Sequence, residues 1–175
     1  MRFQKFYPKK YVKSIYDIDY QKLKANKIKC LIFDLDNTIA LIDQEKLNQE
    51  TIALFQKLKK DFIVVILSNN TKKRVADYAK QLDCDYVSFA RKPFLFGYRK
   101  IQKKYAFTKG EMVMIGDQLV TDIFAGNKFE IDTILVDPMA YKDLKITTFN
   151  RMIEARILKY FEKQGIMKKG EYYHE

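Results

Sequence analysis

Histidine is nearly missing from this chain: its one copy, His174, lies next to the C-terminal residue in a polar tail. That scarcity removes Ser-His-Asp and Cys-His catalytic arrangements and argues against a histidine-rich zinc site. Cysteine is scarce as well. Cys30 and Cys84 form no CxxC pattern and both border strand-like runs, so they are expected as small buried hydrophobes in a reducing compartment. No apolar run approaches the roughly 20 residues that span a bilayer. The basic start, residues 1–10, has no apolar core of the kind a secretory signal needs. A cytoplasmic protein is therefore expected. Neither G-x-x-x-x-G-K-[ST] nor G-x-G-x-x-G occurs, which removes the common nucleotide cradles. Any catalysis has to run on Asp, Lys, Ser and Thr.

Acidic residues are few relative to basic ones, and the imbalance is uneven. The net charge is +11; residues 1–30 carry nine Lys or Arg against two Asp, and residues 140–175 carry eight against five Asp or Glu. The segment 31–139 has sixteen against fifteen and is almost neutral. The N-terminal arm, 1–27, interleaves Arg2, Lys5, Lys9, Lys10 and Lys13 with Phe3, Phe6, Tyr7, Tyr11 and Tyr16. Such an arm can dock on an anionic membrane surface or bind nucleic acid by charge and stacking. The simpler expectation is that it folds back, buries its aromatics and leaves its lysines in water.

The 175 residues, 47% of them hydrophobic, suffice for one ordinary core, and a single domain over 1–175 is expected. No internal repeat, low-complexity tract or long linker is found. Strand-like stretches at 28–34, 62–67, 86–89, 112–115 and 133–136 alternate with helical periodicity. Leu47, Thr51, Leu54, Phe55 and Leu58 mark a helix over 46–60. Asn70 or Thr71 caps a second, whose face is Val75, Tyr78, Ala79 and Leu82. Tyr98, Ile101 and Tyr105 mark a third, a short fourth falls near 119–127, and Phe149, Ile153, Ile157 and Tyr160 stripe a last helix at about 147–163. The repeated β-α-β pattern predicts an α/β fold, a doubly wound parallel sheet covered on both faces.

Four short runs each begin where a strand-like stretch stops: Asp34-Leu-Asp36-Asn-Thr38, Ser68-Asn69-Asn70, Lys92-Pro93 and Gly116-Asp117 followed by Asp122. Strand carboxyl ends form the crevice of an open parallel sheet, so these side chains should meet there. A carboxylate in that crevice can attack phosphorus, and a second can act as general acid and base. Two carboxylates with retained waters suit Mg2+. Ser68 and the N–H groups after it can hold a phosphoryl oxygen at a helix start. Pro93 biases Lys92 to an extended backbone, and the ammonium can screen repulsion between Asp34 and an anionic substrate. A calcium loop with Asp34, Asp36 and Glu45 at positions 1, 3 and 12 is rejected, because Ile39 stands where that loop needs glycine.

With these motifs the chain resembles the haloacid-dehalogenase (HAD) superfamily of phosphatases, and more narrowly the YqeG-type group of subclass IIIA. That group is itself similar to mitochondrial phosphatidylglycerophosphate phosphatases. Tyr7-Pro8, Val12-Lys-Ser-Ile15, Ala90-Arg-Lys-Pro93, Gly116-Asp-Gln118 and Phe149-Asn-Arg-Met152 carry the narrower resemblance. It implies Asp34 as nucleophile and Asp36 as general acid/base. It also implies Mg2+ on Asp34, Asp117 and the Asp36 carbonyl with Asp122 nearby, and Thr38, Ser68, Asn69 and Lys92 around the phosphoryl group.

Twenty-nine residues separate Thr38 from Ser68, and twenty-three separate Ser68 from Lys92. Neither gap has room for a cap domain. An open crevice excludes water poorly around a small metabolite but admits a phosphate presented on something large. The expected substrate is thus a phosphate monoester on a large or membrane-bound molecule such as phosphatidylglycerophosphate, met peripherally at the inner face of a membrane. Two rivals stand beside it: a nucleic-acid or ribonucleoprotein binder using the basic arm, and a small-metabolite phosphatase capped by a neighbouring subunit.

Overall fold

Hydrogen bonding and apolar periodicity resolve into one seven-stranded sheet flanked by helices. The structure, a computed structural model, describes residues 3–140 and 145–174, with the side chains of 145–149 and 174 left aside. Arg2 and the Phe149 side chain therefore lie outside the described residues. In chain order the elements are β1 (Lys10–Val12), α1 (Tyr20–Ala25), β2 (Cys30–Phe33), α2 (Gln49–Leu58), β3 (Ile63–Leu67), α3 (Lys72–Leu82), β4 (Asp85–Val87) and α4 (Phe96–Tyr105). Then follow β5 (Met112–Gly116), α5 (Phe124–Phe129), β6 (Asp132–Val136), α6 (Lys145–Lys163) and β7 (Tyr173–His174).

The strand order is β4-β3-β2-β5-β6-β1-β7, parallel except for the antiparallel edge strand β7. From β2 the chain winds outward through β3 and β4, then returns to β5 on the other side of β2. The β2/β5 junction is thus the topological switch point, where ligands bind in such sheets. The register Phe33↔Ile115 brings the ends of these two strands level.

The strands are almost uniformly apolar because both faces are covered. Leu31, Phe33, Val64, Ile66, Val113 and Ile115 pack on one face with Phe55 and Leu58 of α2 and Val75, Tyr78 and Leu82 of α3. Their alternates Cys30, Ile32, Val65, Leu67, Met112 and Met114 pack on the other with Tyr98 and Ile101 of α4 and Phe129 of α5. Tyr105, the third residue of the face expected on α4, is partly buried and packs against the same cluster. A third cluster joins Tyr11 of β1 to Leu119, Ile123, Ile157 and Phe161. No helix among the described residues is long and apolar enough to cross a membrane.

The arm folds back onto this cluster. Phe6 stacks on Phe124 with ring centroids 4.6 Å apart, Phe3 meets Tyr160 edge-on at 5.2 Å, and Tyr7 stacks on Tyr173 at 5.7 Å. The arm also supplies β1, which pairs with β6 through Lys10↔Ile134 to Val12↔Val136. The short helix expected near 119–127 begins instead as a π-helical turn, Leu119–Ile123, before α5.

Candidate active site

The switch point gathers charge. Asp34 directly follows β2, its N–H bonded to the Ile115 carbonyl at 2.9 Å. Leu35, Ile39 and Ala40 are buried in the core, and the N–H groups of Thr38, Ile39 and Ala40 all point to the Leu35 carbonyl at 2.9–3.3 Å. This tight loop requires a left-handed residue, and Asn37 provides it at φ 63°. With the apolar members anchored inward, Asp34 and Asp36 are directed to the cavity side.

Carboxylate oxygens of Asp34, Asp117 and Asp122 all lie within 4.8 Å of one another, and all three residues are buried. Lys92 bridges two of them, its Nζ 2.6 Å from Asp34 Oδ1 and 2.6 Å from Asp122 Oδ1. Asp122 reaches inward because of the π-helical turn and because Gly116 has no Cβ. A Cβ there would stand 2.4 Å from the Asp122 carboxyl carbon. Asp122 Oδ2 also accepts the Gln118 N–H at 3.1 Å. On the far side, Arg151 of α6 reaches Asp117 Oδ2 at 2.5 Å and its carbonyl at 3.3 Å, while also pairing with Glu154.

Asp36 sits apart from this cluster. Its Oδ1 accepts from Arg74 Nε at 3.0 Å and Nη2 at 2.8 Å, and its Oδ2 from Asn70 Nδ2 at 3.0 Å. Ser68, buried at the end of β3, accepts the Asn70 N–H on its Oγ at 3.1 Å. Asn69 clamps the Lys92 backbone from both sides, donating to its carbonyl at 3.0 Å and accepting its N–H at 2.6 Å. Thr38 Oγ1 faces Asp117 Oδ1 at 3.4 Å. Asp34, Asp36, Ser68, Asn69 and Lys92 line one cavity of about 390 Å³. Asn69 thus lines the cavity while holding Lys92, and Thr38 lies against Asp117. Sequence reasoning gave no role to Arg74 or Arg151. Arg151 nevertheless lies in the Phe149–Met152 run that carried part of the family resemblance.

Burial dominates the protonation of the cluster. It raises the Asp34 carboxyl, with Lys92 opposing and Asp122 and Asp36 adding to the rise. It likewise holds Asp117 well above the usual carboxylate range, against the pull of Arg151. For Lys92 burial pulls downward, but Asp122 and Asp34 outweigh it and keep the ammonium charged. With Lys92 and Arg151 as the two cations, ionising all three acids would leave the cluster short of positive charge. Hard oxygen donors with that deficit fit a divalent cation of the Mg2+ type. The Tyr98 hydroxyl, buried within the field of Asp122 and Asp34, makes no hydrogen bond among the described residues.

Comparison with known proteins places the chain among phosphatases. Residues 89–150 match the HAD-hydrolase-like family model, and residues 1–85 match the mitochondrial PGP phosphatase model. The probable phosphatase YqeG of Bacillus subtilis is 38% identical over 161 residues, covering 91% of this chain and 94% of that protein. The chain belongs to the YqeG family of HAD-type phosphatases. Phosphatidylglycerophosphate phosphatase 1 of Arabidopsis thaliana is 25% identical over 89% of this phosphatase, which spans 48% of the plant protein's length. Among solved structures, the HAD-hydrolase YfnB of Bacillus subtilis, bound to magnesium, shares the fold of the phosphatase. The TM-score is 0.55 at 13% identity, with 68% of this chain and 91% of that one covered. The phosphatase also superposes on an uncharacterized protein from Listeria monocytogenes serotype 4b, with a TM-score of 0.54 at 16% identity over 67% and 85% of the two chains.

Proposed function

We propose that this phosphatase hydrolyses its ester in two displacements at phosphorus, using Asp34 as nucleophile and Asp36 as the proton carrier. In the first, a bond forms between an Asp34 carboxylate oxygen and phosphorus while the ester P–O bond breaks. The leaving oxygen takes its proton from Asp36. In the second, Asp36 takes a proton from a water that attacks the aspartyl-phosphate, and the bond to Asp34 breaks to give inorganic phosphate. Ser68 and Lys92 hold phosphoryl oxygens, and Asn69 and Thr38 keep Lys92 and Asp117 in place. Mg2+ held by Asp34, Asp117 and the Asp36 carbonyl, with Asp122 steadying the site, would neutralise charge on the phosphoryl oxygens.

One observation carries this reading. Asp34 sits in the acid cluster under Lys92, while Asp36, two residues on, is held separately by Arg74 and Asn70. The two carboxylates of one motif therefore have different surroundings, as different chemical roles require.

The substrate we infer is phosphatidylglycerophosphate or a related membrane phosphate ester. Support comes from the match of residues 1–85 to the PGP phosphatase model and from the absence of room for a cap. Phosphate release should be compared for that lipid in anionic vesicles, for p-nitrophenyl phosphate, for sugar phosphates and for 5′-phosphorylated DNA, with and without Mg2+. The lipid should be turned over fastest and only with the cation. A clear preference for DNA ends overturns the substrate, and full activity after chelation overturns the cation.

A further inference from the structure

Exposed large apolar side chains are not spread evenly over this molecule. Of the eight among the described residues, three fall in the stretch around Lys92, namely Phe89 (58% exposed), Phe94 (69%) and Phe96 (66%), and a fourth, Met139 (44%), is tied by its backbone to the cavity lining. Phe89 lines the cavity itself. Phe94 and Phe96 follow Lys92 by two and four residues. The Met139 N–H bonds the carbonyl of Asn37, another residue lining the cavity, at 2.9 Å. Large apolar side chains grouped in this way, rather than scattered singly, mark an interaction surface.

The loop that carries the phenylalanines is held out against a backbone preference. Phe89 and Arg91 adopt left-handed φ values of 47° and 53°, which cost bulky residues energy unless the surroundings enforce them. Here the Phe89 N–H bonds the Asn70 carbonyl at 3.1 Å and the Ala90 N–H bonds the Ser68 carbonyl at 3.0 Å. The stretch is thereby pinned to the turn that carries Ser68.

Charge lies beside the apolar side chains. Residues 86–110 hold seven Lys or Arg and no Asp or Glu, a local excess hidden by the near-neutral total for 31–139. On α4, Phe96, Arg99, Lys100 and Lys103 fall at i, i+3, i+4 and i+7, on one exposed face. None of those three basic residues forms an ion pair with a described residue. Phenylalanine beside unpaired lysine and arginine is the composition of a surface that lies in a membrane interface.

We propose that the surface formed by the Phe89–Phe96 stretch, Met139 and the basic face of α4 docks this enzyme on an anionic lipid bilayer, cavity mouth against the headgroups. The proposal rests on the lipid-substrate reading above and relocates the docking surface: the arm's aromatics Phe3, Phe6 and Tyr7 are engaged in packing, whereas these are exposed. Phenyl and thioether groups without polar tips favour the hydrocarbon boundary over a hydrogen-bonding partner.

Flotation of the full chain with vesicles tests this without requiring turnover. The wild type should float with phosphatidylglycerol/phosphatidylcholine vesicles and much less with phosphatidylcholine alone. The F94S/F96S and R99E/K100E variants should each lose about ten-fold or more in partitioning, the first by removing apolar area buried at the interface and the second by removing attraction to anionic lipid. F94S/F96S should still hydrolyse p-nitrophenyl phosphate at the wild-type rate, and Asp34→Asn should float like the wild type. Equal flotation of wild type and both variants overturns the proposal. So does a wild type that ignores vesicles but binds single-stranded RNA through these residues. Should the lipid phosphate not be a substrate while the flotation pattern holds, the substrate reading fails and the docking surface stands.

Discussion

Along β2 and β5 the character of the buried side chains reverses within a residue or two. Cys30–Phe33 and Met112–Ile115 are apolar and almost fully enclosed; Asp34 and Asp117, next along the same strands, are nearly as enclosed and carry carboxylates. For the apolar stretch, enclosure is itself stabilising, at about 25 cal/mol per Å² removed from water. For the carboxylates it is a cost, offset chiefly by Lys92 and Arg151. One half of each strand holds the fold together. The other half consumes stability and holds chemical potential in return.

The sharpest separation of the two halves is Asp34→Asn. On the proposed mechanism the amide keeps the shape and removes the charge of the attacking oxygen, so phosphate release should fall by about 10⁴-fold or more. The thermal unfolding midpoint should stay within a few degrees of wild type or rise. A variant that turns over normally removes Asp34 from the chemistry; one that fails to fold assigns it to the core instead.

A second pair compares stability directly. Phe55→Ala opens a cavity under β2, where the Phe55 ring lies 4.9 Å from that of Phe33. It should cost about 3–5 kcal/mol in urea unfolding, with little dependence on pH or cation. Lys92→Met leaves Asp34 and Asp122 enclosed without their shared cation and should cost about 3–5 kcal/mol as well. That loss should shrink on acidification, as protons neutralise the acids, and again on adding Mg2+. If both variants respond alike to pH and cation, the distinction between the two halves is wrong.

What could be read from the sequence divides along similar lines. Strands β2, β3, β5 and β6 announce themselves because enclosure on both faces leaves an uninterrupted apolar run, and α2, α3 and α4 show their buried stripes. β1 does not. Its three residues include Lys10, and its partner β6 lies more than 120 positions away, so no local pattern marks it. The two-residue β7 is equally silent. In the site, Asp34 and Asp117 meet because they directly follow the level ends of β2 and β5, whereas Lys92 and Asp122 are brought to them by the Asn69 clamp and the π-helical turn. Arg74 and Arg151 could not be placed that way. They arrive from a helix flank, where a charged residue ordinarily means a solvated face, and only the sheet's geometry turns them onto Asp36 and Asp117.

The smallest expected effect concerns the cation itself and its coupling to protons. Burial raises both Asp34 and Asp117, so the folded protein holds protons at pH values where the unfolded chain has released them. With more protons on the folded state, stability falls as pH rises from the ordinary carboxylate range toward neutrality. Mg2+ favours the ionised carboxyls, so its uptake should expel protons and its affinity should weaken as pH falls. At about 100 times its dissociation constant it should add about 2.7 kcal/mol and flatten the pH dependence of unfolding. Asp117→Asn should lose most of that gain. Calorimetric titrations in two buffers of different ionisation enthalpy read the protons directly. Identical heats in both would mean that the cluster is already fully ionised without the cation, and that Lys92 and Arg151 alone balance its charge.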